Sequence, residues 1–167
     1  MDLAFTDEQD MLRDAVRGLC SGATESVRGL EDDPKGFNDS FWDQLATMGL
    51  TGLMLGEEHG GSTMDLLDAV VVYEEFGRSL VPSPHLDSSV VSAGVLALAG
   101  SAEQQADWLP GIASGRSILI PAWLEPDNSS GPSGIRLSAV TEGDEVVLTG
   151  TKRHVAFASS ADRFVVP

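Results

Sequence analysis

The chain has 167 residues, of which 42% are hydrophobic and 22% charged. This ordinary globular composition excludes a disordered, collagen-like or coiled-coil protein. The 26 acidic residues outnumber the 10 basic ones, and the formal net charge is −16. Because contacts with phosphate groups need a basic surface, this charge argues against nucleic-acid binding and against docking on anionic membranes.

The single cysteine and the apolar runs bear on the cellular compartment. Cys20 allows no disulfide within the chain, which fits a reducing compartment, and its apolar surroundings predict a buried structural thiol. The N-terminal residues lack the basic start and the apolar run of a signal peptide. The longest apolar run, residues 90–99, falls short of the ~20 residues that a transmembrane helix needs. We therefore expect a cytoplasmic protein without a membrane span.

Five helical segments are predicted within the first 115 residues, over 6–22, 40–48, 64–79, 87–99 and 101–109. Capping-box patterns mark the starts of the first and the last, at Thr6 with Gln9 and at Ser101 with Gln104. Gly49 stands where a left-handed residue would end the second. Pro110, followed by glycine, is expected to end the fifth helix.

Apolar spacing predicts which helix faces are buried. The third helix is expected to present a broad apolar face at Leu66, Leu67, Val70, Val71 and the position of Glu74. The fourth segment is rich in small apolar residues and is expected to be buried nearly all round.

The residue pattern changes from helical to strand-like after residue 115. Strands are predicted over 117–123, 135–141, 146–149 and 164–166, with a hairpin turn at 142–144. Runs of helix followed by runs of strand indicate an α+β protein or separate domains. We expect a helical domain over residues 1–116 and a β region over residues 117–167.

Residue types and spacing alone indicate no chemistry. The three histidines (His59, His85 and His154) have no partner at metal-ligand spacing, so each is expected in a loop or at the surface, and no metal site is predicted. The glycine loop at 56–61 lacks the lysine and the spacing of a phosphate loop. Adjacent carboxylates such as Glu74 and Glu75 do not share a helix face and are expected on a solvated acidic surface.

Eight short motifs in one consistent order resemble the acyl-CoA dehydrogenase family along the whole chain. They are residues 2–9 (DLAFTDEQ), 41–50 (FWDQLATMGL), 56–61 (GEEHGG), 73–78 (YEEFGR), 108–115 (WLPGIASG), 125–126 (EP), 148–152 (LTGTK) and 161–162 (AD). Each motif is weak alone, and their common order carries the resemblance.

The resemblance implies an N-terminal helical domain, the beginning of an antiparallel β-barrel-like middle domain, and a C-terminal helical bundle that is absent from this chain. It implies FAD as cofactor, an acyl-CoA substrate that is dehydrogenated at its α,β carbons, and an electron-transfer flavoprotein as acceptor. The family's catalytic glutamate usually lies in the C-terminal domain, so no catalytic residue is assigned here. A placed base and a hydride acceptor are what this chemistry requires.

The resemblance also places cofactor positions on this chain, at Trp123, Leu124, Ser130, His154, Val155 and Ala156. Ser130 matches the family serine that touches flavin or acyl-CoA. Leu124 stands where the family has a threonine that bonds the flavin ring. His154 stands where the family has a tryptophan, and Ala156 lacks the hydroxyl of the family's threonine. Each lost hydrogen bond removes about 1 kcal/mol or leaves a partner group unpaired.

Three hypotheses follow. The chain is a subunit of an FAD-dependent acyl-CoA dehydrogenase in a homo- or hetero-oligomer. Alternatively, it is a non-catalytic partner subunit with a structural role, as in actinobacterial heteromeric enzymes that act on steroid or fatty acyl-CoA. The third hypothesis is a helical interaction domain that binds neither flavin nor acyl-CoA.

Overall fold

A computed structural model describes residues 4–127 and 131–167. This part of the chain contains α1 (Asp7–Ala23), α2 (Asp39–Thr47), α3 (Leu66–Ser79), α4 (Ala93–Ala99), α5 (Ala102–Ala113), β1 (Leu119–Pro121), β2 (Ser138–Glu142), β3 (Glu145–Thr149) and β4 (Arg163–Val165). A π-helical segment, Leu86–Ser92, leads directly into α4. The predicted α+β class, with helices first and strands after them, is confirmed.

Local capping chemistry sets the helix starts. At α1 the backbone N–H of Gln9 donates to Thr6 Oγ1 over 3.2 Å, and the Gln9 side chain accepts from Thr6 N over 3.1 Å. The same reciprocal pair joins Ser101 and Gln104 at α5. Both predicted capping boxes are therefore confirmed. A third box, between Asp65 and Asp68, begins α3 at Leu66 rather than at residue 64.

The prediction for the buried face of α3 is correct at Val71 but wrong at its other four positions. Leu66 is 63% exposed, and Leu67 and Val70 are exposed as well. The face that packs towards α1 and the core contains Ala69, Val71, Val72, Glu75 and Phe76. Glu75 binds Arg17 of α1 through two hydrogen bonds of 2.8 and 3.1 Å, and this pair orients the helix. The sequence of α3 has two apolar stripes, and its own periodicity cannot select between them.

Two further helix predictions need correction. The segment that ends in α4 is not buried all round, since Leu98 is 90% exposed. Helix α5 continues past Pro110 to Ala113. Leu109, Ile112 and Ala113 are all buried in one cluster, so tertiary packing compensates for the backbone hydrogen bond that proline cannot donate.

Strand β1 connects the two apolar clusters of the core. Ile120, together with Ile118 just before the strand, belongs to the larger cluster, which α1, α2 and α3 share, whereas Leu119 belongs to the smaller one beside α4 and α5. Successive side chains of a strand point to opposite faces, which explains this division. Apolar packing on both faces therefore fixes the position of β1.

The strands form two separate pairs in the described part of the chain. β2 and β3 form the predicted antiparallel hairpin, with Ser138 opposite Thr149 and Gly143 in the turn at φ 66°. β1 pairs with β4 in parallel, with Leu119 opposite Arg163. The sequence pattern does not predict this parallel pairing.

Of three ionisable residues for which the sequence predicts an environment, one prediction is confirmed and two are wrong. Cys20 is buried as expected, and burial raises the pKa of its thiol to about 11. His85, expected in a loop or at the surface, is completely buried, as is the Glu75 carboxylate. Each has specific partners inside the protein, which satisfies the rule that buried polar groups are hydrogen-bonded. Among the described helices, none has the length and apolarity to cross a membrane.

Candidate functional site

The chain that leaves β1 passes between two other backbone segments. The N–H of Ala122 donates to Val165 O over 2.8 Å, and Leu124 O accepts from the N–H of Arg153 over 2.7 Å. Trp123 and Leu124 therefore lie beside the segment that contains His154. Two groups of residues 30 positions apart in sequence are brought together at the end of the strand pair.

An ion pair reinforces this meeting point. Lys152 Nζ lies 2.9 Å from Glu125 Oε1, and it also donates to Trp123 O at 3.4 Å and Pro167 O at 3.1 Å. The Glu125 oxygen accepts the backbone N–H groups of Arg136 and Leu137 at 3.1 and 3.0 Å. The Glu125–Lys152 pair thus joins the segment after β1 to three other parts of the backbone.

The Glu125 carboxylate is held in its ionised form. Its hydrogen bond from Lys152 and those from the two backbone amides lower its pKa to about 2, against a smaller opposing effect of burial. The side chains of Lys152 and Glu125 are only 9% and 11% exposed. Charge-assisted hydrogen bonds of this kind are shorter and stronger than neutral ones.

The segment at residues 154–157 has a strained backbone. His154 and Phe157 adopt positive φ angles of 53° and 50°, which residues other than glycine rarely adopt. Phe157 packs edge-on against Phe37 of the core at 5.9 Å, and Val155 packs on the same cluster. These contacts anchor the segment and leave His154 and Ala156 exposed. Strain of this kind is concentrated at functional sites.

The comparison with known families decides what this fold is. The family model described as "Acyl-CoA dehydrogenase, N-terminal domain" matches residues 6–116. The chain belongs to the acyl-CoA dehydrogenase family.

Individual relatives agree with this assignment. The acyl-CoA dehydrogenase FadE27 of Mycobacterium tuberculosis is 34% identical over 91% of this chain and 39% of its own length. The structure of the ChsE4-ChsE5 complex from the same organism matches all of the chain and 45% of that chain, with a TM-score of 0.86 and 31% identity. An acyl-CoA dehydrogenase from Geobacillus kaustophilus matches 99% of the chain and 44% of its own, with a TM-score of 0.85 and 26% identity. The chain thus spans less than half the length of these relatives.

Within this acyl-CoA dehydrogenase fold, the six predicted cofactor positions have different environments. Trp123, Leu124, His154 and Ala156 lie on the two neighbouring segments and are exposed or half-buried. Val155 is also on these segments, but its side chain packs on the core. Ser130 lies outside the described residues.

Three backbone N–H groups at this site are available as donors. In the described part of the chain, the N–H groups of Leu124, Val155 and Ala156 form no hydrogen bond. The isoalloxazine ring of a flavin carries carbonyl oxygens and ring nitrogens along one edge, and backbone N–H groups can donate to them. The residues present therefore fit a flavin through backbone donors and apolar contact, without side-chain hydroxyls at Leu124 and Ala156.

The Glu125–Lys152 pair is the feature that sequence reasoning missed. Both residues stand in motifs of the family resemblance, but nothing in their spacing of 27 residues indicates that they meet. No cluster of three or more His, Cys, Asp or Glu side chains suited to a metal ion occurs within residues 4–127 and 131–167.

Proposed function

We propose that this chain forms part of a subunit of an FAD-dependent acyl-CoA dehydrogenase, which introduces a double bond between the α and β carbons of an acyl-CoA thioester. The observation that carries the proposal is the close approach of Leu124 to Arg153, which brings the two candidate flavin segments together. Membership of the family supports the same activity.

We also propose the domain division at residues 116 and 117. The helical part would pack against the β part through β1, which contributes side chains to both apolar clusters. In support, the match to the family's N-terminal domain ends at residue 116, and every described strand follows residue 118.

FAD, when bound, would supply the hydride acceptor for the reaction. The residues of this chain would hold it in place. The N–H groups of Leu124, Val155 and Ala156 would donate to the edge of the ring, and the side chains of Trp123 and Leu124 would offer apolar contact. Ser130 remains a proposed contact to flavin or acyl-CoA. We assign no catalytic base to this chain.

A second candidate function is that of a non-catalytic partner in a heteromeric acyl-CoA dehydrogenase. Leucine at position 124 and alanine at 156 leave fewer polar groups for a flavin than the family pattern implies. Two similar structures are named after pairs of chains, the ChsE4-ChsE5 complex and the "Tcur3481-Tcur3483 steroid ACAD G363A variant". By analogy we propose a homologous partner subunit and a steroid or fatty acyl-CoA as the substrate class.

The electron acceptor is proposed on similar grounds. A relative from Acetobacterium woodii, 31% identical over 97% of this chain and 44% of its own length, is named as subunit CarC of a caffeyl-CoA reductase-Etf complex. An electron-transfer flavoprotein is therefore the acceptor that we propose for this protein.

Flavin binding separates the two candidate functions. The full product of the encoding reading frame is purified alone and after co-expression with a homologous subunit, and its visible absorbance spectrum is recorded. A flavin spectrum for the protein alone, bleached by an acyl-CoA substrate, supports the catalytic subunit. A spectrum that appears only with the partner supports the heteromeric role. If neither preparation contains flavin, both candidates are wrong.

A pair of substitutions tests the proposed ring contacts. Leu124→Thr combined with Ala156→Thr restores hydroxyls at both positions and should strengthen flavin binding about tenfold. Val146→Thr, an exposed position on the hairpin, is the matched control and should leave the affinity unchanged. Equal affinities for the double variant and the control would mean that these positions do not face the ring.

A further inference from the structure

The strand pair ends before it reaches the candidate flavin positions. β1 and β4 have three residues each, and the last backbone bond that continues them joins Ala122 to Val165. Beyond this point, a single backbone hydrogen bond, from Arg153 to Leu124, connects the two flavin segments in the described part of the chain. One such bond contributes only about 1 kcal/mol, so the spacing of the segments needs another source of support.

The Glu125–Lys152 pair stands at the right place to supply that support. Glu125 follows Leu124 directly, and Lys152 precedes Arg153 directly, so the ion pair flanks the lone backbone bond. Lys152 also binds the carbonyl of Trp123, on the other side of Leu124. Both positions adjacent to Leu124 are therefore fastened to the same ammonium group.

The pair also binds the backbone that leads into the β2–β3 hairpin. The Glu125 carboxylate accepts from Arg136 and Leu137, which directly precede β2. Little solvent reaches either side chain. Loss of one partner would leave a charge that is largely buried and uncompensated, and the segments it joins would be free to separate.

We propose that Glu125 and Lys152 are positioning residues, which hold the 123–124 and 153–156 segments at the separation that a flavin ring requires. The proposal rests on the flavin function proposed above. Neither side chain needs to touch the cofactor. The backbone donors at Leu124, Val155 and Ala156 gain their geometry from this pair, and pre-organised donors bind a ligand more tightly than mobile ones.

Three substitutions test this role in the full reading-frame product with its partner subunit. Lys152→Met removes the ammonium group and should weaken flavin binding at least tenfold, measured by titration with FAD. Lys152→Arg retains a cation that can reach Glu125 and should recover the affinity to within about threefold. Lys35→Met makes the same chemical change at an exposed ion pair with Asp39 and should change nothing.

Hydrogen exchange of backbone amides provides a readout that does not depend on the cofactor. In the flavin-free Lys152→Met protein, the amides of Arg136, Leu137 and Arg153 should exchange at least tenfold faster. The amides of Ala122 and Asp162, which bond to Val165 O and Ile118 O, should keep their rates. A purely global loss of stability would accelerate both groups alike and would overturn the proposal.

The outcomes also separate this proposal from the proposed function. If the wild-type protein binds FAD and Lys152→Met binds it equally well, the positioning role is wrong and the function stands. If the wild-type protein binds no FAD, the proposed function fails and the positioning role falls with it. Weaker binding in Lys152→Met, with recovery in Lys152→Arg and local acceleration of exchange, supports the positioning role.

Discussion

The completely buried imidazole of His85 makes the stability of this protein sensitive to mildly acidic pH. Its Nε2 lies 2.8 Å from Leu50 O, and because a carbonyl can only accept, this nitrogen carries the proton. Nδ1 therefore accepts from the hydroxyl of Tyr73, also over 2.8 Å. The neutral ring has both of its hydrogen bonds, and a second proton would place an uncompensated charge in the core.

The size of the effect follows from the pKa of His85 in the two states. Burial lowers this pKa from 6.5 to about 4 in the folded protein, against a smaller opposing effect of the Leu50 carbonyl. The unfolded chain therefore binds the proton first as the pH falls. The free energy of unfolding is highest above pH 6.5 and decreases between pH 6.5 and pH 4. The decrease is about 2 kcal/mol between pH 7 and pH 5, and about 3 kcal/mol over the whole window.

Other ionisable groups act mainly at lower pH or in the opposite direction. Glu75 and Glu125 have lowered pKa values, so their contribution to stability is present above about pH 4.5 and is lost only below it. Burial raises the pKa of Asp87, whose charge in turn raises the pKa of Tyr73. Protonation of Asp87 therefore favours the folded state as the pH falls. The range from pH 7 to pH 5 therefore reports chiefly on His85.

Urea unfolding at a series of pH values, followed by tryptophan fluorescence, measures this dependence. The wild-type protein should lose about 2 kcal/mol from pH 7 to pH 5. In His85→Gln the side-chain amide can still donate to Leu50 O, but it cannot titrate, so the dependence should largely disappear. His59→Gln is the matched control and should retain it. An unchanged stability of the wild-type protein over this range, or a retained dependence in His85→Gln, would refute the reasoning.

Two further predictions concern packing, and both are measured by urea unfolding at pH 7. Arg17→Met removes the bidentate partner of the buried Glu75 carboxylate and leaves it with Arg78, whose Nε lies 3.4 Å away, so it should reduce the free energy of unfolding by about 2 kcal/mol; a change below 1 kcal/mol would contradict a structural role for the Arg17–Glu75 pair. Gly115 has φ 70°, and an added Cβ would lie 2.6 Å from the Cβ of Ala46, so Gly115→Ala should be destabilising by about 2 kcal/mol or more. Gly18→Ala, at an open position within α1, should instead be stabilising by about 0.5–1 kcal/mol, and the same sign for both glycine variants would show that the steric argument fails.

The predictions that succeeded depend on groups close together in sequence. The capping boxes at Thr6 and at Ser101 join residues three positions apart, so their chemistry is complete in the local sequence. The left-handed conformation at Gly49 and the turn at Gly143 are likewise local requirements. Local sequence therefore predicts helix starts and turns to within a few residues.

The predictions that failed depend on partners that are distant in sequence. Glu75 is buried because Arg17, 58 positions away, faces it across the α1–α3 interface. His85 is buried because Leu50 and Tyr73 satisfy both of its nitrogens. A polarity pattern assigns such residues to the surface, since charged and titratable groups are buried only when paired. Sequence alone does not identify the partner.

The candidate site depends both on features readable from local sequence and on contacts between residues distant in sequence. Residue-by-residue resemblance identified Leu124 and Ala156 as positions that lack the expected hydroxyls, and this requires no structure. The meaning of that loss depends on topology, because the Glu125–Lys152 pair keeps the two segments together whether or not the hydroxyls are present. The spacing of the two segments and the side-chain hydroxyls that could contact a flavin ring thus depend on different residues. A flavin held here would depend on backbone donors, and its affinity would be unusually sensitive to the ion pair that positions them.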